Sequence, residues 1–108
     1  MIARMWHGKV PVEKAAAYHK YLLETGLKDS QNTKGNRAVF LLKREDKEIT
    51  HFYTLFFWND WEAIKKFSGE DVEKARYYPK DKEFLLELEP TVTHFEVIEQ
   101  PKWLGLET

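Results

Sequence analysis

Residues 49–58 carry large side chains on both parities of an extended chain. Ile49, Tyr53, Leu55 and Phe57 fall on one side, and Phe52, Phe56 and Trp58 on the other. A strand has this pattern when both of its faces are covered. Shorter apolar runs at 2–7, 38–42 and 91–98 predict three more strands. Between the first two, Val12, Ala15, Ala16, Leu22 and Leu23 recur at helical spacing and predict a helix over 11–25, with Pro11 in its first turn. Gly26 then closes that helix, Leu27 packs back on its last turn, and 28–36 reads as a polar loop. The charge run 43–48 is a solvated hairpin turn. A second helix begins after Asn59 or Asp60, Asn59 having the capping-box spacing to Glu62, and Ile64 and Phe67 mark its inner face. Beyond Ser68 and Gly69, residues 70–77 read as a further turn or two of helix stopped by Pro79. Residues 81–88 read as a short helical segment with Phe84, Leu85 and Leu88 inward.

The order β-α-β-β-α-(α)-β is that of a ferredoxin-like split β-α-β fold, an α+β architecture with one four-stranded antiparallel sheet and helices on one face. The expected sheet sets strand 1 between strands 3 and 2, with strand 4 beside strand 2, so that His51 and His94 need not share a site. Helices cover one face only, yet strand 3 is apolar on both. An exposed face of that kind is a large apolar patch, and a second copy packing sheet to sheet removes it. Patterning therefore predicts a homodimer. Residues 1–99 form the domain, and 100–108 form a tail whose Trp103 and Leu104 either clasp the partner subunit or cover a sheet edge.

The 108 residues fit one domain, and the four Trp, five Tyr and seven Phe fit a well-packed core. Seventeen basic and eighteen acidic side chains give a net charge of −1, so no broad basic field is available for nucleic acid or an anionic membrane. The absence of cysteine removes disulfides, thiolate metal sites and cysteine nucleophiles. No apolar run has the length of a signal peptide or of a bilayer-spanning helix, and the expected location is cytoplasmic.

The residues offer several candidates for chemistry. His7 ends the first strand and, with Trp6, is the leading pocket group. Arg4 sits among large apolar neighbours and needs a partner, either Glu96 on the last strand or a ligand. His19 lies on the apolar stripe of the first helix and either reaches a ligand between helix and sheet or is a satisfied core histidine. Trp58 and Trp61 flank the second helix start, where core packing accounts for both. Arg76, Tyr77 and Tyr78 precede Pro79 and form either a pocket wall donating to a phenolate or carboxylate, or the anchor of an irregular segment. The four histidines show no metal-ligand spacing, and there is no Ser-nucleophile motif or Gly-rich phosphate loop.

The stretch Phe56-Phe57-Trp58-Asn59-Asp60-Trp61-Glu62-Ala63-Ile64, with Phe67-Ser68-Gly69-Glu70-Asp71, Ala75-Arg76-Tyr77-Tyr78-Pro79 and Val92-Thr93-His94-Phe95-Glu96-Val97, resembles the antibiotic biosynthesis monooxygenase (ABM) domain family. The resemblance covers residues 1–99 and implies a dimeric α+β barrel. It implies either cofactor-independent oxygenation of a small aromatic or polyphenolic substrate, or a non-catalytic dimer that holds haem or another small hydrophobic ligand. Haem-degrading members resemble one another in a first-strand Asn, a second-helix Trp and a His ligand. This chain has Trp6 and His7, Phe67 and Tyr77 at the corresponding places. Tyrosinate can ligate ferric haem. The resemblance thus implies no required cofactor, with haem as the alternative. His7 and Tyr77 are the expected catalytic residues, and Arg4, Trp6, His19, Trp58, Phe67, Arg76 and Tyr78 the expected substrate contacts.

Overall fold

A computed structural model describes residues 1–102. Trp103, Leu104 and most of the expected tail lie outside the described residues. The strands are β1 (Ile2–Pro11), β2 (Asn36–Asp46), β3 (Ile49–Trp58) and β4 (Thr93–Glu96), in one antiparallel four-stranded sheet of order β2-β3-β1-β4. Four helices accompany it: α1 (Ala15–Glu24), α2 (Gly26–Gln31), α3 (Trp61–Ser68) and the single turn α4 (Asp81–Phe84). The architecture is α+β and compatible with a ferredoxin-like fold. No helix among the described residues is long and apolar enough to cross a membrane.

The sheet order corrects the expectation for β1, which lies between β3 and β4. β1 is also longer than the apolar run suggested, because Gly8, Lys9, Val10 and Pro11 continue the ladder opposite Phe52, His51, Thr50 and Ile49. Likewise β2 runs through most of the charged stretch, and the hairpin turns on Lys47 and Glu48 alone. Side chains alternate strictly along β3. Thr50, Phe52, Thr54, Phe56 and Trp58 are buried beneath the helices, while Ile49, His51, Tyr53, Leu55 and Phe57 face outward and are half-buried.

Residues 12–14 form a 3₁₀ turn before α1, whose buried stripe is Ala15, Tyr18 and Leu22. Val12 and Leu23, expected on that stripe, are exposed. Gly26 does not close α1. The break falls at Thr25, whose backbone φ −117° and ψ −94° turn the chain so that Gly26 opens α2 and Leu27 and Ser30 are buried. The expected loop at 28–36 therefore begins as helix. Asp60 caps α3, its Oδ1 accepting the Ala63 amide at 2.9 Å, and Ala63, Ile64 and Phe67 are its buried face.

Residues 70–77 are not helical. Gly69, at φ +90°, ends α3, and the chain then lies alongside 90–92. Ala75 N–H donates to Pro90 O at 2.9 Å and Val92 N–H to Glu73 O at 3.0 Å. Backbone groups bonded laterally in this way are lost to a helix. α4 stops at Phe84 because Leu85 turns extended and Leu86 N–H donates to Lys9 O at 2.9 Å, covering the half of β1 that β4 does not reach. Leu88 is consequently exposed. β4 is shorter than the expected 91–98.

A cleft between sheet and helices

The inward stripe of β1 reads Ile2, Arg4, Trp6, Gly8, Val10. Arg4 and Trp6 wall a cleft of about 40 Å³, which Tyr18 of α1, Phe67 of α3, Arg76, Tyr78 and Asp81 complete. As it stands this is room for roughly three water molecules. The Trp6 indole lies across Gly8, where a Cβ would come within 2.3 Å of Cη2 and 2.6 Å of Cζ2. A glycine two residues along the same strand face is thus what lets the ring lie flat on the sheet. Behind the cleft, Trp6 Nε1–H donates to the Tyr77 hydroxyl at 3.2 Å, and that hydroxyl donates to Glu89 O at 2.6 Å.

Arg4 is 3% exposed. Its Nη1 donates to Val72 O at 2.6 Å and to His94 Nε2 at 3.1 Å, and its Nη2 to Lys74 O at 3.1 Å. Glu96, the expected partner, lies opposite Ile2, and the cross-strand neighbour of Arg4 is His94. Among the described residues no carboxylate lies within ion-pair distance of Arg4. Burial pulls its pKa down to about 10, with Glu73 opposing, so the guanidinium stays charged at neutral pH. Arg76 donates to Phe67 O at 2.8 Å, lies 4.9 Å over the rings of both Phe67 and Tyr78, and meets Asp29 Oδ2 at 3.3 Å. Tyr78 donates to the same Asp29 oxygen at 2.7 Å. Burial raises the Tyr78 pKa, and that hydrogen bond raises it further.

At α4, Asp81 is 4% exposed. Its Oδ1 accepts from the Tyr18 hydroxyl at 2.8 Å and its Oδ2 from the Tyr78 amide at 2.6 Å. Burial raises its pKa and outweighs these two bonds, which lower it. Tyr18, wholly buried, has its own pKa raised by burial first and by Asp81 next.

Of the residues expected from the sequence, Arg4, Trp6, Phe67, Arg76 and Tyr78 line the cleft, and His7, His19, Trp58 and Tyr77 do not. Strand alternation sends His7 to the outer face once Trp6 points in. There its Nδ1 meets Glu89 Oε2 at 2.7 Å and its Nε2 meets His51 Nδ1 at 2.8 Å. β3, carrying His51, is thus joined by a histidine pair to β1, its neighbour in the expected order as well. His19 is exposed, because Tyr18 occupies the inward position of that helix turn. Trp58 is fully buried against Phe67, 5.7 Å between ring centroids, in the core beyond the cleft. Tyr77 props Trp6 from behind. Tyr18 and Asp81 were missed. The signal for Tyr18 was present, since it lies three residues after Ala15 and four before Leu22, but Asp81 reads as an ordinary helix-start acid. No cluster of three or more His, Cys, Asp or Glu side chains among the described residues is arranged to hold a metal ion. No known family model matches the chain, and no curated protein matches it.

Proposed function

We propose that this chain is a homodimeric ligand-binding protein, related to ABM-type domains, whose inner cleft takes a small aromatic anion such as a phenolate or an aromatic carboxylate. The observation that carries the reading is Arg4: a buried, charged guanidinium lining an aromatic-walled cleft, with no carboxylate partner among the described residues. A buried cation without a counter-charge is unfavourable, and an anionic ligand supplies one. Phe67 and Trp6 offer flat walls for a ring. The cleft is closed to about 40 Å³, so a ring needs Arg76 and Tyr78 to swing away from Asp29. The small volume, and a Tyr77 hydroxyl already hydrogen-bonded twice, favour a small anion over haem.

Isothermal titration with benzoate, phenylacetate and 4-nitrophenolate tests the reading. Binding that weakens at least tenfold in Arg4→Gln, with the fold intact by circular dichroism, supports it, and no binding of any of the three overturns it. Cofactor-independent oxygenation is the activity to assay on this site, because a fixed guanidinium stabilises developing oxyanion charge. With an anthrone-type substrate the methylene carbon would take one oxygen atom of dioxygen, and its two hydrogens would leave with the other as water. Stoichiometric oxygen uptake with quinone formation supports the oxygenase, and its absence leaves a binding protein.

The dimer reading rests on the outer sheet face. Phe40 and Leu42 of β2 and Phe95 of β4 are 41%, 42% and 50% exposed there, beside half-buried Met5, Leu55 and Phe57. Sedimentation equilibrium at micromolar concentration checks it. Phe40→Glu is expected to shift the particle to a single chain, and a wild-type monomer overturns the dimer.

A further inference from the structure

The cleft that binds through Arg4 in the reading above has a second charged end. Asp81 is buried and lines the same cleft, and no cation lies within ion-pair distance of it among the described residues. The two charges do not neutralise each other. Arg4 lies opposite Phe56 in the β1–β3 ladder, whereas Tyr18, which donates to Asp81, packs its ring 5.7 Å from Phe52, opposite Gly8. The two positions are four residues apart along β1, roughly 13 Å at the rise of a strand. A single cleft is therefore lined by a guanidinium and a carboxyl that are not paired with each other and that are anchored over different positions of β1, with Trp6 and Phe67 among its walls.

Asp81 has capacity left. A carboxylate offers about four lone-pair positions. Here one oxygen accepts the Tyr18 hydroxyl and the other the Tyr78 amide, both short bonds at 2.8 and 2.6 Å. These fix the carboxyl in the cleft wall and leave a further acceptor position on each oxygen. The raised pKa has the same cause: two neutral donors do not compensate for the lost water. Hydroxyl or ammonium donors of a ligand would supply what is missing, while an apolar ring end would leave the carboxyl as it is.

We propose that Asp81, held by Tyr18 and the Tyr78 amide, is a second recognition group of the cleft, and that the ligand is an aromatic acid bearing a hydrogen-bond donor at the end remote from its acid group. The proposal rests on the anionic-ligand reading for Arg4 and adds the far end of the molecule. It also accounts for how the cleft is closed. Asp81 binds the amide of Tyr78, and the Tyr78 hydroxyl and Arg76 are joined through Asp29. A ligand donor arriving at Asp81 meets the group that holds the Tyr78 amide.

Matched pairs of acids test this by calorimetry on the full chain: benzoate against 4-hydroxybenzoate, phenylacetate against 4-hydroxyphenylacetate, 3-phenylpropionate against 3-(4-hydroxyphenyl)propionate, and biphenyl-4-carboxylate against its 4′-hydroxy form. The length that spans the two ends is expected to show at least a tenfold preference for the hydroxylated member. The preference is expected to fall below threefold in Asp81→Asn and in Tyr18→Phe, each checked for folding by thermal melting. 4-(Aminomethyl)phenylacetate separates donor types: tighter binding than the hydroxyl compound assigns an ammonium, weaker binding a hydroxyl, and both support the proposal. Hydroxylated and plain acids binding within twofold of each other at every length, or an undiminished preference in both variants, overturns the role of Asp81 and leaves the Arg4 reading standing. No binding of either series overturns both.

Discussion

Arg4 Nη1 lies 3.1 Å from His94 Nε2. An arginine only donates, so Nε2 is the unprotonated nitrogen and the ring hydrogen of neutral His94 sits on Nδ1. That nitrogen is 3.7 Å from Glu73 Oε1, too far for a hydrogen bond, and is buried without a hydrogen-bond partner among the described residues. One of the three hydrogen bonds that hold the cleft's guanidinium thus needs His94 to stay neutral.

Burial first, and Arg4 next, lower the His94 pKa below its ordinary 6.5, with Glu73 opposing. A depressed folded-state value means the unfolded chain binds the proton more readily. The associated stability is fully present above about pH 6.5 and is lost as pH falls through the lowered value. Urea unfolding midpoints are expected to drop between pH 7 and pH 5. His94→Gln, which keeps an acceptor for Arg4, is expected to flatten part of that drop. An unchanged pH profile in His94→Gln refutes the assignment.

Asp81 predicts the opposite sign. Its folded-state pKa is raised from 3.8 by burial, so the native protein holds the proton more tightly than the unfolded chain. That contribution is present below about pH 4 and is lost as pH rises through the raised value. Asp81→Asn removes the titration and keeps an acceptor for Tyr18. The stability of wild type relative to Asp81→Asn is expected to fall as pH rises from 3 towards 7, read from thermal melts of both proteins in the same buffers.

Gly8→Ala sets a methyl group against the Trp6 ring and within 2.8 Å of Leu85 Cδ2. Overpacking of this kind costs about 1–3 kcal/mol. The ring must lift, breaking its bond to Tyr77, so a shift of tryptophan emission is expected together with a lower unfolding midpoint. A variant with wild-type stability and spectrum shows that Trp6 does not lie across Gly8.

Thr50 is fully buried on the inner face of β3, and its hydroxyl oxygen has no hydrogen-bond partner among the described residues. Thr50→Val keeps the β-branched shape and removes the unpaired group. Relief of an unsatisfied buried hydroxyl is worth about 1–3 kcal/mol, so the variant is expected to melt higher than wild type. A lower melting temperature shows that the hydroxyl is satisfied.

Period and alternation along the chain fixed a large part of this molecule. The parity of 49–58 separated the two sides of β3, and the run 59–67 offered Asn59 or Asp60 as the cap of α3, of which Asp60 is used, and gave Ile64 and Phe67 on its inner face. Arg4 stood out as a charge within an apolar run, Trp6 as the large ring beside the strand end, Arg76 and Tyr78 by their place before Pro79, and Phe67 through the family resemblance, and all of them line the cleft. His7 stood out equally and lies on the other face, since one residue of alternation decides the side and the end of an apolar run does not show which residue points in. Residues 70–77 look helical from their own composition, but their amides bond to 90–92, a partner that folding alone brings alongside.

The amino-acid order by itself determined the number of strands, the α+β class and the excess of apolar sheet surface, because these follow from local periodicity and side-chain volume. Tertiary structure alone decided that Asp81 is a cleft residue, that Arg4 pairs with His94 and not Glu96, and that Tyr77 supports a wall and does not line it. Each of these turns on a contact between groups more than sixty positions apart, at Tyr18–Asp81, Arg4–His94 and Trp6–Tyr77. A hydrogen bond depends on distances of tenths of an ångström, and no local pattern carries that information.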